Sequence, residues 1–201
     1  MKKTILLILI FVLLFSVADL SSPTFAYEPE PFVIRGGITW GMSKDDVIGV
    51  EKEEPIQSSL AFDYFYYYGI SVSKFEDCDL IYAFIDNALT GIVYRIHQQD
   101  EESIKDDETY IINSLTKKYG EPKANIDYVK EVLTKVDIYT RPNIDPDERD
   151  KQLTEILLNK AVWVLVDGTV IVCDNNATEE TTMFNISYYS PYIGEFNTNG
   201  L

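Results

Sequence analysis

Six of the seven residues from Phe62 to Tyr68 are aromatic, and the alternation they begin continues to Val72. Phe62, Tyr64, Tyr66, Tyr68, Ile70 and Val72 hold the even positions, while Asp63, Phe65, Tyr67, Gly69, Ser71 and Ser73 hold the odd ones. A period of two places the two sets on opposite faces of a β-strand. We read the even set as core and the odd set as the outward, mixed face. Leu80 to Ile85 is apolar at every position, which fits a strand covered on both sides. Asp86-Asn87 tolerate left-handed turn geometry, and Ala88 to His97 runs back, with Ile92, Tyr94 and Ile96 on one face and Val93, Arg95 and His97 on the other. Arg95 and His97 are expected to look outward. Three successive antiparallel strands therefore form the frame against which the rest must pack.

The chain opens with a basic Met1-Lys2-Lys3, an apolar run from Thr4 to Val17 and a small-residue site at Thr24-Phe25-Ala26, the pattern of a secretory signal peptide over residues 1–26. A spanning anchor needs about 20 apolar residues, and this run is shorter and ends near Asp19. The expected mature chain is one α+β domain over residues 27–201, secreted or extracytoplasmic, at the periplasm or cell surface of a bacterial envelope, without a stable membrane anchor. The full sequence has 17 basic and 33 acidic residues and a net charge of −16. Without Lys2, Lys3 and Asp19 the charge is about −17. Such a body is repelled by phosphate backbones and anionic lipid, so nucleic acid is not an expected partner.

Phe32 to Trp40 reads as a first strand interrupted by Gly36-Gly37 as a bulge or bend. Ser43 caps a short helix with Asp45 and Asp46 in its first turn, and Glu53-Glu54-Pro55 ends it. After the three strands, the acidic run Asp100–Asp107 opens a helix whose apolar face holds Ile111, Leu115 and Tyr119, stopped by Gly120 and Pro122. Residues 126–140 suit a strand through Tyr128, Val132, Val136 and Ile138, or a helix through Val129, Val132, Leu133 and Val136; we favour the strand. Asp147–Lys160 reads as a helix with Leu153, Ile156 and Leu157 inward. Residues 161–166 and 169–173 form a hairpin around Asp167-Gly168, a loop covers 174–182, and 183–189 is a last strand before a polar tail. Two α-β-β-β quasi-repeats, about residues 32–100 and 101–192, would share one antiparallel sheet with the helices packed on one face.

The segment Ile38-Thr39-Trp40-Gly41-Met42-Ser43-Lys44-Asp45-Asp46-Val47 resembles the strand, Gly-Met-Ser/Thr, helix opening of the small outer-membrane-assembly lipoproteins of the SmpA/OmlA kind and of β-lactamase-inhibitor-protein-like modules. Lys118-Tyr119-Gly120-Glu121-Pro122 is similar to the helix ending of the same groups. The likeness covers these short motifs and an element order. The chain departs from the lipoproteins in having no cysteine at the signal junction, and from the inhibitors in its additional helix near Asp147–Lys160. The resemblance implies an envelope or secreted protein that works by binding another protein through its sheet and loops.

The chemistry on offer is narrow. His97 is the single histidine, so it would be the only histidine base for a serine triad, and a multi-histidine zinc site cannot be built. Asn143-Ile144-Asp145-Pro146-Asp147 fails the calcium-loop template, with Glu148 where glycine is required and Thr154 where a bidentate glutamate should stand. No cofactor and no metal site is expected. Cys78 and Cys173 lie at predicted strand ends, either joined by a disulfide or buried as free thiols. Phe65, Tyr67, Arg95 and His97 form the candidate exposed patch, with Tyr188, Tyr189 and Tyr192 as an extension. The expected function is a non-catalytic protein-binding or envelope-assembly module whose partner is another extracytoplasmic protein. The alternatives are an envelope hydrolase using paired carboxylates or a cation-responsive surface protein.

Overall fold

The computed structural model describes residues 33, 35–59, 63–98, 101–122, 125–141, 143–177 and 182–193. The expected signal peptide and the polar C-terminal tail lie outside them. Helix α1 (Lys44–Glu51) precedes strands β1 (Gln57–Ser59), β2 (Tyr64–Val72), β3 (Phe75–Ile85) and β4 (Ala88–Gln98). Helices α2 (Glu101–Tyr119), α3 (Ile126–Thr140) and α4 (Pro146–Asn159) follow, then β5 (Ala161–Val164), β6 (Val170–Ala177) and β7 (Thr182–Tyr189). The strands form one seven-stranded sheet in the order β1-β2-β3-β4-β7-β6-β5, with every neighbouring pair antiparallel. The fold class is α+β. No helix of the described residues is long and apolar enough to cross a membrane.

Two of the local signals act as their chemistry dictates. Ser43 accepts from the Asp46 amide at 3.2 Å, and the Asp46 carboxylate accepts from the Ser43 amide at 3.2 Å, a reciprocal cap that closes the first turn of α1. Gly36 and Gly37, at φ +55° and +98°, make a tight turn closed by a bridge between Arg35 and Ile38. The interruption expected at Gly36-Gly37 is thus a full chain reversal, because two consecutive left-handed residues turn Arg35 back onto Ile38; Phe32 and Ile34 of the expected strand lie outside the described residues.

One sheet face carries Phe65, Tyr67, Leu80, Tyr82, Ile92, Tyr94, Ile186 and Trp163 into a core shared with Val47 of α1 and Ile111 and Leu115 of α2. The opposite face carries Val162, Val170 and Val172 into a second core with Val129, Val132 and Leu133 of α3 and Leu153 of α4. Val162 and Trp163 are neighbours on one strand, so the two clusters lie on opposite sides of the sheet. The expectation of helices on a single face is corrected: α1 and α2 take one face, α3 and α4 the other. The shared sheet is present, but the second half of the chain places an additional helical hairpin behind its own strands.

Residues 126–140 are the helix α3, not the strand favoured from sequence. Asn125 accepts from the Tyr128 amide at 3.3 Å as N-cap, and Val129, Val132, Leu133 and Val136 fall on one side. Their burial against β6 outweighs the weak strand preference of branched residues.

β2 carries the largest correction. Phe65 and Tyr67 are 6% and 3% exposed, whereas Tyr68 is 46% exposed. The register shifts between Tyr67 and Ile70, with Gly69 at φ +69°. This bulge inserts a residue and reverses the phase of alternation. Before it the odd residues Phe65 and Tyr67 face the α1/α2 core; after it the even residues Ile70 and Val72 do.

Cys78 lies on β3 and Cys173 on β6, with β4 and β7 between them. Three inter-strand steps of about 4.8 Å exceed the ~7 Å Cα separation that a disulfide can bridge, and both thiols are free and buried. Burial pushes the Cys173 thiol up to about 12 and raises that of Cys78, which leaves little reactive thiolate at either position. The native protein is therefore expected to resist iodoacetamide at mildly alkaline pH and to take up two equivalents in urea. Mass spectrometry that found the two cysteines linked in native protein would contradict this.

Candidate functional site

The face that bears α3 and α4 is covered only in part. Register pairs define three transverse rows of side chains across it. The first runs Tyr64, Ala83, Gly91, Tyr189, Val170, and the second Tyr66, Ile81, Val93, Ser187, Val172. The third is polar: Asp79, Arg95, Asn185, Asp174. The helices cover the β5 and β6 end, leaving a groove of about 630 Å³ over the centre of the sheet.

Small side chains make the depression. A Cβ on Gly91 would lie 3.3 Å from that of Ala83 and 3.9 Å from the Tyr189 ring, so the floor is low between Tyr64 on one side and Tyr189 on the other. Along β2, the Tyr64 and Tyr66 rings meet edge to face at 6.3 Å, and Tyr66 stacks on Tyr68 at 6.4 Å. These tyrosines form a ridge beside the groove, with Tyr64 and Tyr66 lining it.

Arg95 and His97 both contact the nearly buried Asp79: His97 Nε2 is 3.0 Å and Arg95 Nη1 is 3.9 Å from the same carboxylate oxygen. The Arg95 Nε and the Asn185 side-chain oxygen are buried without a hydrogen-bond partner among the described residues, a donor and an acceptor left open on adjacent strands. At the far end of the row, burial holds the Asp174 carboxyl above its ordinary value, against opposing effects of a hydrogen bond to Asn185 and the charge of Lys160.

The helical wall is stiffened by an ion pair. Arg149 Nε donates to Asp137 at 2.6 Å, with the two residues 9% and 6% exposed, and Arg149 also donates to the carbonyls of Arg141 and Ile144 at 3.2 and 3.4 Å. Arg141 Nε donates to the other Asp137 oxygen at 2.5 Å. Behind this wall is a smaller cavity of about 230 Å³, lined in part by Asp137, Arg141 and Leu153. Both cavities are lined by Val136, Asp174, Ser187 and Tyr189.

The residues selected from sequence are divided between the two faces. Arg95 and His97 are on the open face, His97 exposed and Arg95 half-buried. Phe65 and Tyr67 are not surface residues. Phe65 packs edge to face on Phe84 at 5.0 Å, and Tyr67 packs on Tyr82 at 5.9 Å while donating its hydroxyl to the Glu53 carbonyl at 3.2 Å. Tyr188 is in the same core, Tyr189 is on the groove side and Tyr192 is exposed. Sequence reasoning missed Tyr64, Tyr66 and Tyr68 as surface groups, it missed Asp79 and Asn185 altogether, and it placed Asp174 in a loop where β6 continues to Ala177. Gly69, an interior strand glycine, was the one signal of the phase change.

No protein family model matches the chain, and neither the curated proteins nor the solved structures include a match to it.

Two stability measurements follow from this geometry. Asp137→Ala strands the buried Arg149 charge and is expected to cost about 3–5 kcal/mol in urea unfolding; a loss under ~1 kcal/mol would show the guanidinium to be solvated. For Asp174, the raised carboxyl means that the folded chain holds the proton more tightly than the unfolded one, so stability falls as pH rises between the two values and the loss is complete above both. Asp174→Asn is thus expected to unfold at higher urea than the wild type at neutral pH, with the gap closing below the ordinary carboxyl value of 3.8. A variant less stable than wild type at neutral pH would contradict the burial argument.

Proposed function

We propose that the protein is an exported, non-catalytic protein-binding module of the bacterial envelope, and that the open half of the α3/α4 face is its docking surface. The observation that carries this reading is the tyrosine ridge of β2, with Tyr68 exposed and Tyr64 and Tyr66 half-buried, beside a concave, partly polar stretch of sheet. Tyrosine presents a large rigid ring with a polar tip and only two torsions to immobilise, which suits it to contact surfaces. The amino-terminal signal pattern supports export. Support for binding over carboxylate hydrolysis comes from how the acids are employed: Asp137, which lines the smaller cavity with Asp174, is held between two guanidinium groups, and Asp63, which lines the larger groove with Asp174, is paired with Lys44.

The test begins with affinity purification of residues 27–201 from the host's envelope after mild crosslinking. A stoichiometric protein partner is expected, with Tyr66→Ser/Tyr68→Ser losing most of its capture at an unchanged melting temperature. Phe65→Ala, by contrast, is expected to cost about 3–5 kcal/mol of stability as a core truncation. Undiminished capture by the double tyrosine variant would remove the ridge from the docking surface, and recovery of the protein without any partner would count against the binding role.

A further inference from the structure

The groove also carries information about what occupies it, and this inference rests on the docking reading above. Its acidic groups are not equivalent. Of the three carboxylates that line it, Asp63 is paired with Lys44 at 2.7 Å and Asp86 is exposed in the turn between β3 and β4, while Asp79 beside the groove carries His97 and Arg95. Asp174 is different: among the described residues no cationic side chain comes within ion-pair distance of it. The nearest source of positive field is Lys160, whose ammonium donates to the Asn175 carbonyl at 3.4 Å. Arg141, on the smaller cavity, is held on Asp137. Asp174 thus stands half-buried where the two cavities share lining, with its charge answered by one amide hydrogen bond and the field of Lys160.

The surroundings of Asp174 select a shape as well as a charge. Val136 and Tyr189 supply apolar walls to both cavities, and Ser187, which also lines both, is hydrogen-bonded to Tyr189. A partly polar groove with apolar walls flanking a carboxylate fits a cation on a flexible hydrocarbon stem better than a compact hydrated ion, because the stem replaces water on the walls while the charge meets its counter-charge. The chain as a whole, at −16, also draws basic surfaces toward it. We propose that the occupant of this groove is a lysine- or arginine-bearing segment of the partner protein, the cation of that side chain seated on Asp174 and its stem lying along Val136 and Tyr189. The segment to either side crosses the Ala83/Gly91 floor toward Tyr64 and Tyr66. Desolvation of Asp174 in the free protein is the cost that such a cation offsets on binding, as expected where a site is built for a partner.

The test uses three end-blocked hexapeptides that alternate valine with lysine, norleucine or glutamate, titrated into the protein while backbone amide resonances are followed. The lysine peptide is expected to shift Asp174, Asn185 and Ser187 saturably, and to bind about tenfold more tightly than the norleucine peptide. Asp174→Asn is expected to abolish that difference. Added salt is expected to weaken the lysine peptide alone. Equal binding of lysine and norleucine peptides would overturn the cationic occupant while leaving the docking surface standing. Shifts that saturate at residues away from Asp174, or no shift at millimolar lysine peptide, would overturn it as well. The docking surface itself fails on a separate result, a crosslinked partner that maps away from Tyr66 and Tyr68. The norleucine comparison is made on wild-type protein, so the inference remains testable whatever the fate of the Asp174 variant.

Discussion

The antiparallel pairing of β4 with β7 is the constraint on which the rest of this structure depends. Without it the chain would hold two separate meanders, β1 to β4 and β5 to β7. Register pairs from Gly91↔Tyr189 to Gln98↔Thr182 join them into one sheet and bring together residues almost a hundred positions apart. The same pairs align the side-chain rows. Arg95 meets Asn185 because Gly91 meets Tyr189 four residues away, and a slip of one residue would exchange every one of these groups with the core of the other face. The polar row, the low floor and the apolar core behind them are therefore consequences of a single register.

The two faces are covered unequally. On one, α1 and α2 close a core that includes Tyr82, Tyr94 and Trp163, and its polar atoms are engaged: Tyr82 donates to Glu51, Arg35 Nε binds the same carboxylate at 3.0 Å, and Trp163 Nε1 donates to the Gly120 carbonyl at 2.9 Å. On the other, the α3/α4 hairpin is tied to itself by the Asp137–Arg149 pair and covers the strands nearest β5. A two-helix layer narrower than a seven-stranded sheet leaves part of that sheet open, and the side chains there are those that tolerate water on one side and a surface on the other. The open acceptor on Asn185, the open donor on Arg95 and the desolvated Asp174 are all in this region, where folding leaves polar groups less satisfied than in the closed core.

Most of the element list was legible in the sequence because the signals for it are local. The Ser43 cap, the Asp86-Asn87 turn, the Asp167-Gly168 turn and the apolar run of β3 each act within a few residues. Two readings failed where a distant partner decided the outcome, and the cysteine pairing was left open for the same reason. Residues 126–140 carry branched side chains that suit either state, and burial against β6 chose the helix. Cys78 and Cys173 could be neighbours or strangers until the strand order put two strands between them. Phe65 and Tyr67 were placed outward because alternation was carried through Gly69 unbroken, although a glycine inside a strand is where a bulge is most easily accommodated. In a segment with aromatics on both faces, composition cannot say which face is covered.

By itself, the sequence determined that this chain is built from short antiparallel strands and amphipathic helices, that the body is strongly acidic, and where most turns and caps fall. Those properties depend on backbone geometry and side-chain chemistry within a turn or a strand. The tertiary structure alone decided which residues of β2 are core, that β7 stands beside β4, that the helices divide between two faces, and that Asp174 shares a groove with tyrosines more than a hundred residues distant. These are decided by which surfaces meet, and the free energy of burying a side chain depends on the partner that covers it, which no local pattern contains.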